Sequence, residues 1–497
     1  MTEYEPVIGL EVHAQLRTKS KMFCSCPADY HQQAQPNTRV CPVCMALPGT
    51  LPVINQSAVE AVMKTGLALH SEITEHTKFD RKNYPYPDLM KGYQISQFDL
   101  PVCVGGYIEL DIDGETRRAT ITRVHLEEDV AKLFHRTDPV TSEGYSLVDV
   151  NRAGVPLMEL VGEPDLRSAE EARQFLTKYR AILQYIGVST GNMEEGSFRC
   201  DANISIRPKG SKELMGKVEV KNMNSFRAVQ RALEYEITRQ TSLVQDGGRV
   251  AQETRGWVEE RGVTISMRSK EFAHDYRFFP EPDLPTLTIS RAWVEEVAKL
   301  LPELPEVKKR RYVQNYGLSD YDADQLTVAP AMARYYEDTL KEWAARHASA
   351  TVSNATAKAA ANWTITELAR LLNASGVDIE ESPLSPAFMV DLLELLEKGT
   401  VGTAQAKTAI EESFSAGKSP RVIVEEMGLT QISDTSALGS VATEAIEANP
   451  QAVQDYLSGK ETAVKFLVGQ VMKASKGRAN PALVAEVIQE QLQVLKS

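Results

Sequence analysis

No apolar run in the 497 residues approaches the roughly 20 that a membrane span requires, so no spanning helix is expected. The opening Met-Thr-Glu-Tyr-Glu-Pro has neither a basic stretch nor an apolar core that would direct export, and a cytoplasmic location is expected. Cysteine is scarce, six in all, which excludes a disulfide-built scaffold. Positive charge is in deficit: 55 Lys and Arg stand against 68 Asp and Glu, a net charge of −13, which excludes a protein that coats nucleic acid by bulk charge. Local basic patches stay open, because phosphate contacts act within a Debye length of about 10 Å. Neither a G-x-x-x-x-G-K-[ST] nor a G-x-G-x-x-G phosphate loop is present, so any nucleotide must sit in an unrelated cradle. A Gly/Ser-rich amidase stretch and an evident Cys–His nucleophile are also missing, so the chain is not expected to release ammonia from an amide by itself.

What is present is ordinary globular material, 42% apolar and 25% charged, with length for about three domains at roughly 150 residues each. Residues 1–290 read as a strand-rich α+β domain of short alternating segments broken by Gly, Pro, Asn and Asp. Two helices interrupt it. One opens at the capping Ser168 and runs to Gly187, and the other spans about Ser225 to Leu243. After the prolines at 280, 282 and 285 the sequence turns helical: an all-α domain is expected over 291–405 and a small all-α tail over 406–497.

Chemistry concentrates on strand faces. In Val7 to His13, Ile8, Leu10 and Val12 share one face while Glu11 and His13 share the other. In Arg199 to Arg207 the polar face carries Arg199, Asp201, Asn203, Ser205 and Arg207, and in Lys217 to Lys221 it carries Lys217, Glu219 and Lys221. Such faces meet water in a one-sided sheet, or together line a cavity for Mg²⁺ and phosphate oxygens, since Mg²⁺ takes few carboxylates and keeps waters. The acidic run Glu127-Glu128-Asp129 after His125 is a further candidate, or a solvated turn. Lys78, Arg81 and Lys82 precede Tyr84 and Tyr86 in a proline-stiffened segment that suits phosphate and a stacked base, or a tyrosine-pinned surface loop. Asn151-Arg152-Ala-Gly154 holds an anion or closes a loop.

Four of the six cysteines fall within 21 residues as Cys24-x-Cys26 and Cys41-x-x-Cys44. Four thiolates at these spacings suit a closed, structural tetrahedral Zn²⁺ site. Cys103 and Cys200 stand apart and are expected as packed thiols. Near the end, Lys465, Lys473, Lys476 and Arg478 gather positive charge, either as an RNA phosphate contact or as a solvated helix end.

The strings Val-Ile-Gly-Leu-Glu-Val-His, Lys-Phe-Asp-Arg-Lys-Asn-Tyr, Tyr-Gln-Ile-Ser-Gln-Phe-Asp, Glu-Gly-Ser-Phe-Arg-Cys-Asp-Ala-Asn-Ile-Ser and Lys-Asn-Met-Asn-Ser-Phe resemble the B subunits of bacterial aspartyl/glutamyl-tRNA amidotransferases. So does the terminal stretch from Phe466 to Pro481, and the resemblance covers essentially the whole chain. It implies a cradle domain, a helical domain and a small tail. It also implies an activity: ATP phosphorylates the side-chain carboxylate of Glu on tRNA(Gln) or Asp on tRNA(Asn), and ammonia then displaces phosphate. Ammonia would come from a partner amidase A subunit, with a small C subunit wrapping the pair. Carried onto this sequence, the Mg²⁺ site falls on Glu11, His13, Glu128 and Glu219. Lys82, Arg152, Asn203 and Lys221 are the candidate catalytic groups, and Arg81, Lys82, Tyr84 and Arg199 the candidates for holding ATP. A non-catalytic RNA scaffold with structural zinc is the alternative. A metal-dependent hydrolase is disfavoured, because four thiolates leave zinc no open position.

Overall fold

The computed structural model describes residues 3–30, 34–269, 276–348, 351–431, 435–458, 460, 462–475 and 478–496. Two compact units divide the chain, Met1–Pro305 and Glu306–Ser497.

The first unit is organised by a ten-stranded sheet. Its long central strand Tyr4–Gln15 is flanked by Pro156–Gly162 and Phe198–Pro208. Beyond Pro156–Gly162 lie Glu115–Glu128, Cys103–Val104 and Glu72–Ile73, with Tyr107–Ile112 also paired to Glu115–Glu128. Beyond Phe198–Pro208 lie Val218–Lys221, Glu253–Val258 and Val263–Ser269. The pairing of Val218–Lys221 with Glu253–Val258 is parallel and the others are antiparallel.

Alternation decides what each face does. Ile8, Leu10, Val12 and Ala14 of the central strand share a core with Met158, Leu160, Val124, Leu126, Cys200, Ala202, Ile204, Val218 and Val220 from its neighbours. Helices Gln56–Ala68, Ala169–Tyr185 and Phe226–Gln245 contribute to the same core. The two helices expected from sequence form at their caps: Ser168 accepts from Glu171 N and Ser225 accepts from Ala228 N. These bonds satisfy donors that a bare helix start leaves unmet. With helices occupying one face, the polar residues of the alternating pattern are left on the other.

The first unit runs past the expected border at 290. Helix Arg291–Ala298 joins its core through Val297, and Trp293 Nε1 donates to Glu60 Oε1 at 3.3 Å. The second unit is helical throughout its described elements, with one apolar cluster around Tyr312, Tyr336, Leu368, Leu393 and Ile410 and another around Leu438, Leu467, Val484 and Ile488. The expected α+β cradle followed by all-α segments is therefore what the chain builds. No helix among the described residues is long and apolar enough to cross a membrane.

Leu160 is fully buried beneath the polar face. Leu160→Ala is expected to cost about 2–5 kcal/mol, read as an earlier urea transition of the first unit.

Candidate metal and phosphate site

Four strands bring four polar residues into one row. His125 pairs with Glu159, Glu159 with His13, and His13 with Arg199, each across an antiparallel register. Glu159 Oε2 lies 3.2 Å from His125 Nε2 and 3.5 Å from His13 Nε2. Glu127, two residues beyond His125 and on the same face, places Oε1 3.5 Å from His13 Nε2. Ligand atoms of His13, Glu127 and Glu159 all lie within 4.8 Å of one another, a donor set of one imidazole and two carboxylates that fits a hard divalent ion. Buried carboxylates this close need compensation. His13 supplies it: burial pushes its pKa down, but Glu159 and Glu127 outweigh burial and raise it to about 9. Burial pushes Glu159 up, but the two imidazoles hold it well below the ordinary carboxylate value.

Glu128 is not in this group. Successive strand residues point to opposite faces, so placing Glu127 beside His13 turns Glu128 away. Its Oε1 accepts from Ile95 N at 3.0 Å and pairs with Lys91 Nζ at 2.6 Å. The expected ligand Glu128 therefore lies outside the group, and Glu127 and Glu159, neither among the expected ligands, stand beside His13, with His125 paired to Glu159. The signal existed in Glu159, a lone carboxylate in the apolar run Pro156–Gly162, and in the shared parity of His125, Glu127 and Arg123.

Glu11 and Glu219 stand further along the same face. Glu11 Oε1 accepts from Asn203 Nδ2 at 2.8 Å, and Asn203 is in register with Glu219. Lys221 Nζ bridges Asp201 Oδ2 at 2.5 Å and Glu219 Oε1 at 3.1 Å, while Thr254 donates to Glu219 Oε2. Glu219 is thus engaged by a lysine and a threonine, apart from the His13 group.

The cations divide by the same alternation. Lys82 and Arg81 are consecutive in strand Asp80–Asn83 and have opposite fates. Arg81 is consumed by a two-pronged pair with Glu281, both bonds at 2.8 Å, and stacks on Tyr93. Lys82 Nζ sits 4.9 Å from the Tyr276 ring centroid and 6.0 Å from that of Tyr84. Burial pushes Lys82 down, and the fields of Glu127, Glu159 and Glu11 outweigh it. Arg199, beside His13, pairs with the buried Asp129 at 3.2 Å. Arg152 flanks the same carboxylate at 3.6 Å and donates to the carbonyls of Val130 and Ala131. Gln15 Nε2 completes the Asp129 hub at 2.6 Å.

The four cysteines converge. Sγ atoms of Cys24, Cys26, Cys41 and Cys44 lie within 4.8 Å of one another, and Cys41 N donates to Cys44 Sγ at 3.1 Å. A hydrogen bond from Cys24 is the main cause holding the Cys44 thiol well below its ordinary value, opposed by burial and aided by the charge of Lys21. The donor set fits Zn²⁺. Cys103 and Cys200 are buried and separate, as packed thiols.

Comparison with known proteins decides the family. Residues 6–295 match the GatB/GatE catalytic domain and residues 347–492 match the GatB domain. The B subunit of the aspartyl/glutamyl-tRNA(Asn/Gln) amidotransferase of Carboxydothermus hydrogenoformans is 54% identical over 99% of both chains. The B subunits of the same enzyme from Dehalococcoides mccartyi (strain 195) and Moorella thermoacetica are also 54% identical, over 99% of this chain and 100% of their own. The chain belongs to the GatB family. In GatB terms, the row of His125, Glu159, His13 and Arg199 lies wholly within the catalytic-domain match.

The His13 pKa carries a pH signature. Because the folded value of about 9 exceeds the ordinary 6.5, its stabilisation is complete below about pH 6.5 and is lost as pH rises through 9. In the metal-free chain, the excess melting temperature of wild type over His13→Asn should shrink across that window, as a pH series of thermal melts would reveal.

Proposed function

We propose that this chain is the subunit of a tRNA-dependent amidotransferase that activates the side-chain carboxylate of Glu on tRNA(Gln), Asp on tRNA(Asn), or both, with ATP and Mg²⁺. The observation that carries the reading is the convergence of Glu127, Glu159 and His13 on one sheet face, with Lys82 in the field of the two carboxylates. A carboxylate resists attack by ammonia because its charge repels nucleophiles and oxide is a poor leaving group. Transfer of the γ-phosphoryl group makes an acyl phosphate, ammonia attacks the acyl carbon, and phosphate departs with the former carboxylate oxygen. A divalent cation on His13, Glu127 and Glu159, with Glu11 nearby, would neutralise charge on the phosphate oxygens.

The chain's own groups then have separable roles. Lys82, without a carboxylate in pairing range among the described residues and caged by Tyr84 and Tyr276, is the cation free to meet a phosphate. Arg199 offers a second, half-exposed guanidinium at the edge of the row. Arg152 acts through Asp129, as a positioning residue for Arg199. Asn203 aims Glu11, and Lys221 balances Asp201 and Glu219. Arg81 is assigned to the fold through Glu281, outside the nucleotide site. Structural Zn²⁺ is assigned to the four cysteines. Ammonia is assigned to a partner amidase A subunit, with a small C subunit completing a cytoplasmic complex. A passive RNA scaffold would have no use for carboxylates buried side by side on its binding face.

The tail supplies exposed Lys465, Lys473 and Arg478 for tRNA phosphates, while Lys476 lies outside the described residues. Replacing the three exposed cations by alanine should weaken tRNA binding and reduce its salt slope by about one for each phosphate no longer neutralised. An unchanged slope removes the tail from the interface.

ATP-dependent ADP formation on Glu-tRNA and on Asp-tRNA, assayed separately with the assembled complex, tests the site. Glu127→Gln and Glu159→Gln should each lower turnover by about 10²–10³-fold, while Glu128→Gln should retain most of it. A Glu128→Gln loss equal to that of Glu127→Gln, with the fold intact, would refute the assignment.

A further inference from the structure

The inner side of the cysteine knuckle holds a charge for which the described residues offer no carboxylate. Lys21 is 0% exposed, among the largest fully buried side chains of the molecule. Lysine is almost never buried to that extent unless it is paired. Its Nζ donates to the carbonyl of Val150 at 3.3 Å, and no described carboxylate stands within ion-pair distance of it. A neutral carbonyl can accept a hydrogen bond but does not cancel the charge, and an uncompensated buried charge is strongly destabilising.

Among the described residues no carboxylate pairs with Lys21, and a group packed near its stem that can carry negative charge is Cys44. A β-carbon on Gly154 would stand 3.5 Å from Lys21 Cδ and 3.9 Å from Cys44 Cβ, so the lysine stem and the Cys44 side chain both lie close over one glycine. Gly154 has φ +81°, where a side chain is strained, and its bareness lets both approach. Lys21 N donates to Cys26 O at 2.9 Å, which seats the lysine at the base of the segment bearing Cys24 and Cys26. Four thiolates around Zn²⁺ carry a net charge of −2, and in a buried place that dianion needs a cation as much as the lysine needs an anion.

We propose that Lys21 is the internal counter-cation of a four-thiolate metal site. The proposal rests on the reading that the knuckle binds Zn²⁺. Lys21 also positions the loop between the two cysteine pairs. The carbonyl it holds belongs to Val150, whose N–H donates to Asn37 Oδ1 at 2.8 Å, and the next residue, Asn151, binds Gln35 O and Arg39 N. One ammonium thus contacts the turn that fastens the loop, while its stem lies over the same glycine as Cys44.

The test is zinc affinity of the full-length chain in its complex, measured by competition with a chromogenic chelator, for wild type, Lys21→Met and Cys44→Ser. Lys21→Met keeps the stem and removes the charge. It should weaken zinc binding by about 10–100-fold and lower the thiolate-to-cobalt charge-transfer band at equal Co²⁺, short of the loss in Cys44→Ser. Wild-type affinity in Lys21→Met, alongside loss in Cys44→Ser, overturns the role of Lys21 and leaves the knuckle standing. A wild-type chain that takes up no zinc overturns the knuckle and the proposal with it. Should Lys21→Met fail to fold, the comparison moves to a Cys41→Ser/Cys44→Ser background. There the lysine has lost its anions, so adding Lys21→Met should raise the melting temperature. An unchanged or lower value overturns the proposal.

Discussion

The site depends on one constraint: a charge taken out of water must find its opposite within a few ångströms. Glu127 and Glu159 could not be buried beside each other on the strength of the sheet alone, because two carboxylates without compensation repel and lose hydration together. The antiparallel register solves this by setting an imidazole on either side of Glu159, one from Tyr4–Gln15 and one from Glu115–Glu128. Register is itself set by the opposite face, where a slip of one residue would turn Leu10 and Val12 out of the core and Glu11 and His13 into it. The apolar core thereby fixes the spacing of the polar row.

A second hub uses guanidinium in place of imidazole. Burial pushes Asp129 up, and Arg199 and Arg152 more than reverse it, holding the carboxylate ionised. The two hubs meet at Arg199, which is in register with His13 and paired to Asp129. Arg152 lies in the turn after Val150, so the loop bearing the cysteines and the face bearing the carboxylates share a short stretch of backbone.

A period of two is enough to read the faces of Val7–His13 and Arg199–Arg207, and the caps are enough to read the helices at Ser168 and Ser225. The choice between Glu127 and Glu128 is also within reach of parity, since His125 and Glu127 share a face. The resemblance to a known family draws attention to the other carboxylate. Glu159 is harder, because one acidic residue in an apolar strand carries no pattern of its own and gains meaning only when its neighbours across the sheet are known. Arg81 misleads for the opposite reason. Its partner Glu281 lies two hundred residues away, and nothing local in Lys78–Asn83 marks which of the adjacent cations is spoken for. The four cysteines are legible because thiolate spacing is local, whereas the lysine beneath them is not, because burial is a property of the fold.

Lys82 and Lys21 form an instructive pair. Lys21 is fully buried and Lys82 half-buried, and each is held by contacts that do not neutralise it, the rings of Tyr84 and Tyr276 for Lys82 and a peptide carbonyl for Lys21. Aromatic faces attract a cation without donating a counter-charge, and a carbonyl orients an ammonium without discharging it. Lys82 has carboxylates in its field but none in pairing range among the described residues, so its hydrogen-bonding capacity stays open. Lys21 has no opening to solvent, so a partner for it must be resident, and the Cys44 side chain lies over the same glycine as its stem. Two ammoniums left without a carboxylate partner among the described residues thus stand in contrasting settings, one half-buried among aromatic rings and one fully buried beside a cysteine knuckle.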